Sequence, residues 1–80
     1  MAGKLALHQA AVYQIRFQGV LDESWVKYLN PDLTINTHGD TPQALITTLT
    51  GKVSDQAALL GLLNSLYYLG LPLLSVNVIV

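Results

Sequence analysis

Alternating apolar and polar residues mark the first strand. Over residues 11–19, Tyr13, Ile15 and Phe17 share one parity and polar side chains share the other. Successive side chains of a strand point to opposite faces, so the segment predicts a half-buried strand. Residues 1–10 are typical of a frayed chain end, but apolar residues of the same odd parity within them favour a strand extension or a pairing arm.

A short helix follows this strand. Asp22 is the expected N-cap, since its carboxylate can accept from a first-turn N–H. Trp25, Tyr28 and Leu29 recur at helical spacing and are expected to form the buried stripe. Pro31 ends the helix.

Two further alternating segments predict a hairpin. Residues 32–37 and residues 43–53 each alternate, and the segment between them contains Gly39, Asp40 and Pro42. Glycine supplies positive φ, and Asp and Pro favour turns. The expected inward residues are Leu33, Ile35, Leu45, Thr47 and Leu49.

The strongest periodicity lies in a second helix after Val53. Ser54 is the first choice of N-cap, and Asp55 is the alternative if the helix begins one residue later. Gly70 and Pro72 give the stop signal. The stripe expected to face the core recurs every three or four residues: Leu59, Leu62, Leu63, Leu66 and Leu69.

The opposite side of this helix is apolar as well. Leu60, Asn64, Tyr67 and Tyr68 follow helical spacing, and no charged residue occurs after Asp55. A solvated helix face carries Lys, Glu and Arg, so such a helix is expected to be covered on both sides. These four residues are therefore the predicted protein interface.

Residues 73–80 predict the last strand, with Leu74, Val76 and Val78 inward. The order of elements is then βαββαβ, in one domain over residues 1–80. Two right-handed crossovers around a hairpin give an α+β, two-layer sandwich of the ferredoxin-like kind. Its antiparallel sheet has the expected strand order 4-1-3-2, with both helices on one face.

The other face of the predicted sheet is polar and nearly uncharged. A solvated sheet face is the common case, and a face-to-face dimer or a ligand platform is the functional alternative. Its expected members are Gln14, Arg16, Gln18, Thr34, Asn36, Thr48, Thr50, Ser75 and Asn77.

Composition narrows the function further. Charged residues make up 11% of the chain, the net charge is −1, and Cys is absent. This argues against nucleic-acid binding, which needs clustered Lys and Arg. It favours a homo-oligomer, with poor solubility as the plain alternative. No apolar run reaches the roughly 20 residues of a membrane span, and the cysteine count fits a cytoplasmic protein.

Catalytic patterns are sparse. His38 and Asp40 lie close in sequence, but the Gly/Pro turn around them is typical of an exposed hairpin tip. Gly51 and Lys52 precede a helix without the upstream glycine of a phosphate-binding loop. The sequence therefore predicts no catalytic residue, no metal site and no cofactor.

Three segments carry a resemblance to a known family: YQIRFQGVLDESW, TTLTGKVSDQAALLGLL and LGLPLLSV. They resemble a family of small uncharacterised bacterial proteins over residues 13–76, most specifically around Asp55 and Gln56. The resemblance implies the βαββαβ fold and no established activity. Relatives tend to have charged or polar residues at the outer positions of the second helix, where this chain has Leu60 and two tyrosines.

These observations predict a non-enzymatic interaction protein. It would self-associate, or dock on a larger complex, through the outer positions of the second helix. The alternative is a regulatory module that senses a small molecule at a dimer interface. Enzymatic activity is the third possibility, and the lack of a convergent titratable cluster argues against it.

Overall fold

The computed structural model describes residues 10–79. The predicted element order is confirmed: β1 (Ala11–Gln18), α1 (Glu23–Leu29), β2 (Thr34–His38), a 3-10 turn (Pro42–Ala44), β3 (Ile46–Val53), α2 (Gln56–Tyr68) and β4 (Leu73–Val78). The predicted arm over residues 1–10 lies, except for Ala10, outside the described residues.

The four strands form one antiparallel sheet in the order β2-β3-β1-β4. Read from the β4 edge, these are the neighbours of the predicted order 4-1-3-2. At the centre of the sheet, Ile15 pairs with Leu49 on one side and with Val76 on the other. β2 and β4 are consequently the two edge strands.

Several strand boundaries differ from the predicted ones, those of β1 and the end of β2 by a single residue at most. β2 begins at Thr34 rather than at residue 32, and β3 begins at Ile46 rather than at residue 43. The residues before β3 form the 3-10 turn instead, where Pro42 occupies the first turn and needs no N–H partner. β4 ends at Val78, and Val80 lies outside the described residues.

One cluster of buried side chains joins the sheet to both helices. The alternation predicted for β1 is confirmed, because Tyr13, Ile15 and Phe17 are buried and Gln18 is exposed. The remaining members come from both helices, β3 and the residue before β2: Ala11, Val26, Leu33, Leu49, Val53, Leu59, Leu62 and Leu66.

The buried side of α1 was predicted only in part, because Trp25 is half-buried against the core cluster but Tyr28 and Leu29 are exposed. Asp22 is its N-cap as expected, and its side chain accepts from the backbone N–H of Ser24 at 2.8 Å. The buried residue is Val26, however, and Tyr28 is 87% exposed. Each helical residue turns by about 100°, so Tyr28 lies about 200° away from Val26. Leu29, also predicted to be buried, is exposed at the end of this seven-residue helix.

The two ends of α2 are fixed by local hydrogen bonds. Asp55, the alternative choice, is the N-cap, and its carboxylate accepts from the N–H of Ala58 at 2.8 Å. At the other end, Gly70 has φ +75° and donates to the carbonyl of Tyr67, while Leu71 donates to the carbonyl of Leu66. This is the Schellman pattern, which confirms the predicted stop.

Three residues expected to face inward are exposed: Leu69, Leu74 and Val78. Val78 pairs with Tyr13, but it is 51% exposed at the last position of an edge strand. Leu69 lies at the C-cap of α2, where the helical stripe has already ended. Leu74 lies where the pairing of β1 with β4 shifts, because Phe17 pairs with Leu73 and Arg16 pairs with Ser75. The extra residue of such a bulge breaks the alternation, so Leu74 is not an inward residue.

A partly buried hydroxyl network holds three segments together. Thr47 is fully buried, and its hydroxyl donates to the carbonyl of Gly19 at 2.6 Å. Its oxygen also lies 2.8 Å from the hydroxyl of Thr37. Because Thr47 uses its proton on Gly19, Thr37 is the donor of the second bond. The network ties β2 and β3 to the loop after β1.

Candidate protein-interaction surface

The outer face of α2 comprises Leu60, Asn64, Tyr67 and Tyr68, and all four side chains are exposed. Leu60 is 59% exposed, Tyr67 77% and Tyr68 85%. The four sequence-predicted interface residues thus lie together along two turns of one helix, on its solvent side among residues 10–79.

The opposite side of the helix holds this surface in place. Leu59, Leu62 and Leu66 are buried in the core cluster, which fixes the rotation of α2. Gln56 adds a specific tether, since its side-chain amide donates to the Tyr13 hydroxyl at 2.6 Å. Tyr13 is itself buried in β1. The outer face is therefore carried by a helix with a single orientation.

The outer face is largely apolar, with Asn64 as its amide, and it carries no charge. No residue of Gln56–Tyr68 is acidic or basic, and the nearest charge on this element is the cap Asp55. The rings of Tyr67 and Tyr68 lie 5.7 Å apart at 70°, which is an edge-to-face pair. Each ring offers a wide apolar area and a hydroxyl that can bind a polar partner.

A shallow groove runs beside this surface, between the end of α1 and α2. Its volume is about 340 Å³, and a methyl group added at Gly61 would meet no atom within 4 Å. Sequence analysis did not predict it, although small residues at helical spacing on α2 were its signal. Its lining residues are Leu29, Asn30, Val53, Ala58, Gly61, Leu62 and Ser65.

The polar sheet face has the expected residues in aligned rows. Gln14 stands between Thr50 and Asn77, with Thr34 beyond Thr50. The next row contains Asn36, Thr48, Arg16 and Ser75. Gln18 pairs with Ile46, so an apolar side chain interrupts the third row.

The row that contains Arg16 is the most enclosed part of this face. Arg16, Thr48 and Ser75 are half-buried, whereas Asn36 at the β2 edge is exposed. The Ser75 hydroxyl oxygen is buried and has no hydrogen-bond partner among the described residues. Ser75 pairs with Arg16 across the β1–β4 ladder. A buried hydroxyl without a partner is rare in native structures, so this row is where a bound polar group would find an unsatisfied partner.

Within residues 10–79, the structure does not bring together the other side chains that were considered as candidate sites. His38 and Asp40 are both exposed. Over residues 10–79, no three metal-binding side chains come together. Within the same residues, no helix combines the length and the apolar composition needed to cross a membrane.

Comparison with known proteins gives one result. None of the curated proteins and none of the solved structures matches the chain. A family model described as a domain of unknown function, DUF8691, matches residues 12–77, which is most of the sequence. This confirms the resemblance at the level of an uncharacterised family. The chain therefore belongs to the family of the domain of unknown function DUF8691.

Proposed function

We propose that this protein is a non-enzymatic assembly protein that associates with a second copy of itself through the outer face of α2. Docking of the same face on a larger complex is the second form of the proposal. The observation that carries it is the exposure of Leu60, Tyr67 and Tyr68 on a helix without charge. Single exposed apolar residues are ordinary, but a contiguous set indicates a binding surface.

The proposal includes a ferredoxin-like fold, a bacterial origin and a cytoplasmic location. The strand order, together with a core cluster that contains residues of both helices, supports a two-layer, ferredoxin-like sandwich. Both helices would then cover one sheet face and leave the Arg16 side free. A bacterial, cytoplasmic protein fits the resemblance and the lack of cysteine.

Composition supports self-association. With few charges and an exposed apolar face, the monomer has little electrostatic repulsion to keep copies apart. A two-fold contact would place the tyrosine pair of one copy against that of the other, which suits an isologous interface. The hydroxyls would remain at its rim, where they bind water or a polar group.

The test is the double substitution Leu60→Glu/Tyr67→Glu. We expect a smaller assembly in sedimentation velocity and unchanged far-UV circular dichroism, because the buried leucines of α2 are untouched. A matched control is Val20→Glu/Tyr28→Glu, which adds the same two charges at 56% and 87% exposed positions outside α2. The control should sediment as the unmodified protein does.

Two results would overturn this proposal. An unmodified protein that stays an 8.7 kDa monomer at high concentration would exclude self-association. A double variant that unfolds while it still associates would place Leu60 and Tyr67 in the core. The binding surface would then have to be sought on the polar sheet face.

A second candidate function rests on the Arg16 row. The half-buried Arg16 and the unpaired Ser75 hydroxyl favour a small-molecule-sensing module, with its ligand held between two sheet faces. A thermal shift on addition of amino acids or nucleotides would support this alternative, provided that Arg16→Gln removes the shift. If neither amino acids nor nucleotides shift the melting temperature, the small-molecule role is contradicted and the assembly role is retained.

A further inference from the structure

The edge strand β4 presents an open row of backbone groups. Among residues 10–79 it pairs with β1 alone, on one side. The N–H of Ile79 donates to the carbonyl of Val12 at 2.8 Å, so these two residues form a hydrogen-bonded pair. Hydrogen-bonded and non-hydrogen-bonded pairs alternate along an antiparallel ladder. Val76 and Val78 therefore direct their N–H and C=O groups away from β1.

This edge lacks the usual protection against pairing. Natural edge strands carry Lys, proline or inward charges that prevent contact with another strand. From residue 73 to residue 79 there is neither a charged residue nor a proline. Leu73, Val78 and Ile79 are about half-exposed beside the open row. The bulge at Leu74 disturbs only the start of the strand.

We propose that the β4 edge pairs in antiparallel fashion with the β4 edge of a second copy, with Asn77 on the two-fold axis. This contact goes beyond the proposed role of α2, because it uses a different surface and backbone hydrogen bonds. It would join the two sheets into one of eight strands, four from each copy.

The bulge determines the register. Val76 and Val78 are the residues beyond it whose outward direction the ladder fixes, and they stand symmetrically about Asn77. In this register Val76 of one copy forms two N–H···O=C hydrogen bonds with Val78 of the second copy. By symmetry, Val78 of the first copy forms the same two bonds with Val76 of the second. A register centred on Val76 would instead need Leu74, at the bulge, as a regular partner.

The side chains fit a second copy of the same strand. Asn77 would face its own symmetry mate in a non-hydrogen-bonded pair, where side chains approach most closely. An amide both donates and accepts, so two asparagine side chains can bind each other across the axis. An uncharged strand also meets no repulsion from its copy.

The geometry of such a dimer has a consequence for both faces. A two-fold axis perpendicular to the joined sheets keeps each face of the two copies on one side. The Arg16 rows of the two copies would thus form one continuous polar face. The helices of both copies would lie together on the other side under the sandwich arrangement proposed above.

The test is a disulfide cross-link through Asn77→Cys. The chain has no cysteine, so this variant carries a single thiol. Opposed residues of a non-hydrogen-bonded pair have Cα atoms about 4.5 Å apart, within the range that a disulfide spans. With oxidised glutathione as the acceptor of the two electrons and two protons, we expect rapid formation of a species of twice the chain mass.

Asn36→Cys is the matched control. Asn36 is also an exposed asparagine, and it occupies the centre of β2, the other edge strand. We expect its cross-linking to be at least about tenfold slower. Equal rates for the two variants, faster cross-linking through residue 36, or a thiol at residue 77 that stays monomeric would each overturn the proposal.

A substitution that acts without oxidation provides a second test. Asn77→Lys places like charges on the axis and should raise the dissociation constant of the β4 contact by at least about tenfold. Asn36→Lys should leave it unchanged. Cross-linking of Asn77→Cys in the Leu60→Glu/Tyr67→Glu background should persist, which separates this contact from that of α2. If Asn77→Lys left the assembly unchanged, this result would contradict the β4 contact but not the contact through α2.

Discussion

The sidedness of α2 can be measured by a series of leucine-to-alanine substitutions along one helix. Leu66 is 1% exposed, Leu62 is 8% exposed and borders the groove, and Leu60 is 59% exposed. A buried Leu→Ala change costs about 2–5 kcal/mol, and the cost rises with the cavity left behind. The three positions should therefore separate clearly in free energy of unfolding.

The expected magnitudes follow from what surrounds each side chain. Leu66→Ala leaves an enclosed cavity and should cost about 3–5 kcal/mol. Leu62→Ala opens onto the groove, so water fills part of the space and the cost should be nearer about 2 kcal/mol. Leu60→Ala should stay within about 0.5 kcal/mol once association is separated. The total free energy of unfolding of a chain of this length is about 4–12 kcal/mol. Leu66→Ala therefore removes a large part of the stability of the fold.

Urea denaturation at several protein concentrations is the assay. Association stabilises the folded state by mass action, so the concentration-dependent part of the midpoint reports the interface. The intercept at low concentration reports the packing of the single chain. Leu60→Ala should reduce the concentration-dependent part of the midpoint, and Leu66→Ala should reduce the intercept at low concentration. A Leu66→Ala cost below about 1 kcal/mol, or a Leu60→Ala intercept as low as that of Leu66→Ala, would refute the assigned faces.

Four further substitutions test the local structure by thermal or urea unfolding. Asp55→Ala should cost about 1 kcal/mol through loss of the α2 cap, while Ser54→Ala should be nearly neutral; the reverse ranking would contradict the observed helix start. Thr47→Val should cost about 1–3 kcal/mol, because the Gly19 carbonyl loses its buried donor, and a neutral result would mean that water replaces it. Gly61→Ala should stabilise the chain by about 0.5–1 kcal/mol, since the methyl group meets open space on a helix; destabilisation would show that the groove is filled.

Sequence periodicity predicts the parts of this fold in which burial repeats. The alternation of Tyr13, Ile15 and Phe17 and the stripe of Leu59, Leu62 and Leu66 are both long enough to define a face. Because Leu59, Leu62 and Leu66 of the predicted inner stripe are buried, the exposure of the outer face follows from helix geometry alone. This is why the candidate interface residues could be identified before the structure was known.

The errors occur where an element is too short or irregular for periodicity to decide. The seven residues of α1 contain Trp25, Val26, Tyr28 and Leu29, so several rotations of the helix bury two apolar side chains each. Leu74 breaks a regular alternation through a bulge whose position depends on pairing with β1. The small residues at helical spacing on α2 indicate one wall of the groove. The complete groove and the unpaired Ser75 hydroxyl depend on contacts between distant segments, which no local pattern reports.

The two proposed contacts together predict the size of the assembly. The outer face of α2 and the β4 edge are separate two-fold surfaces on one chain, so their combined use gives either a closed tetramer or an open chain of copies. Leu60→Glu/Tyr67→Glu should stop at the β4 dimer, and Asn77→Lys should stop at the α2 dimer. The triple variant should sediment as a monomer close to 8.7 kDa. Because each substitution is at an exposed position, loss of mass without loss of helical signal assigns the contact. A triple variant that remained oligomeric would require a third surface, and the continuous row around Arg16 would be the next region to substitute.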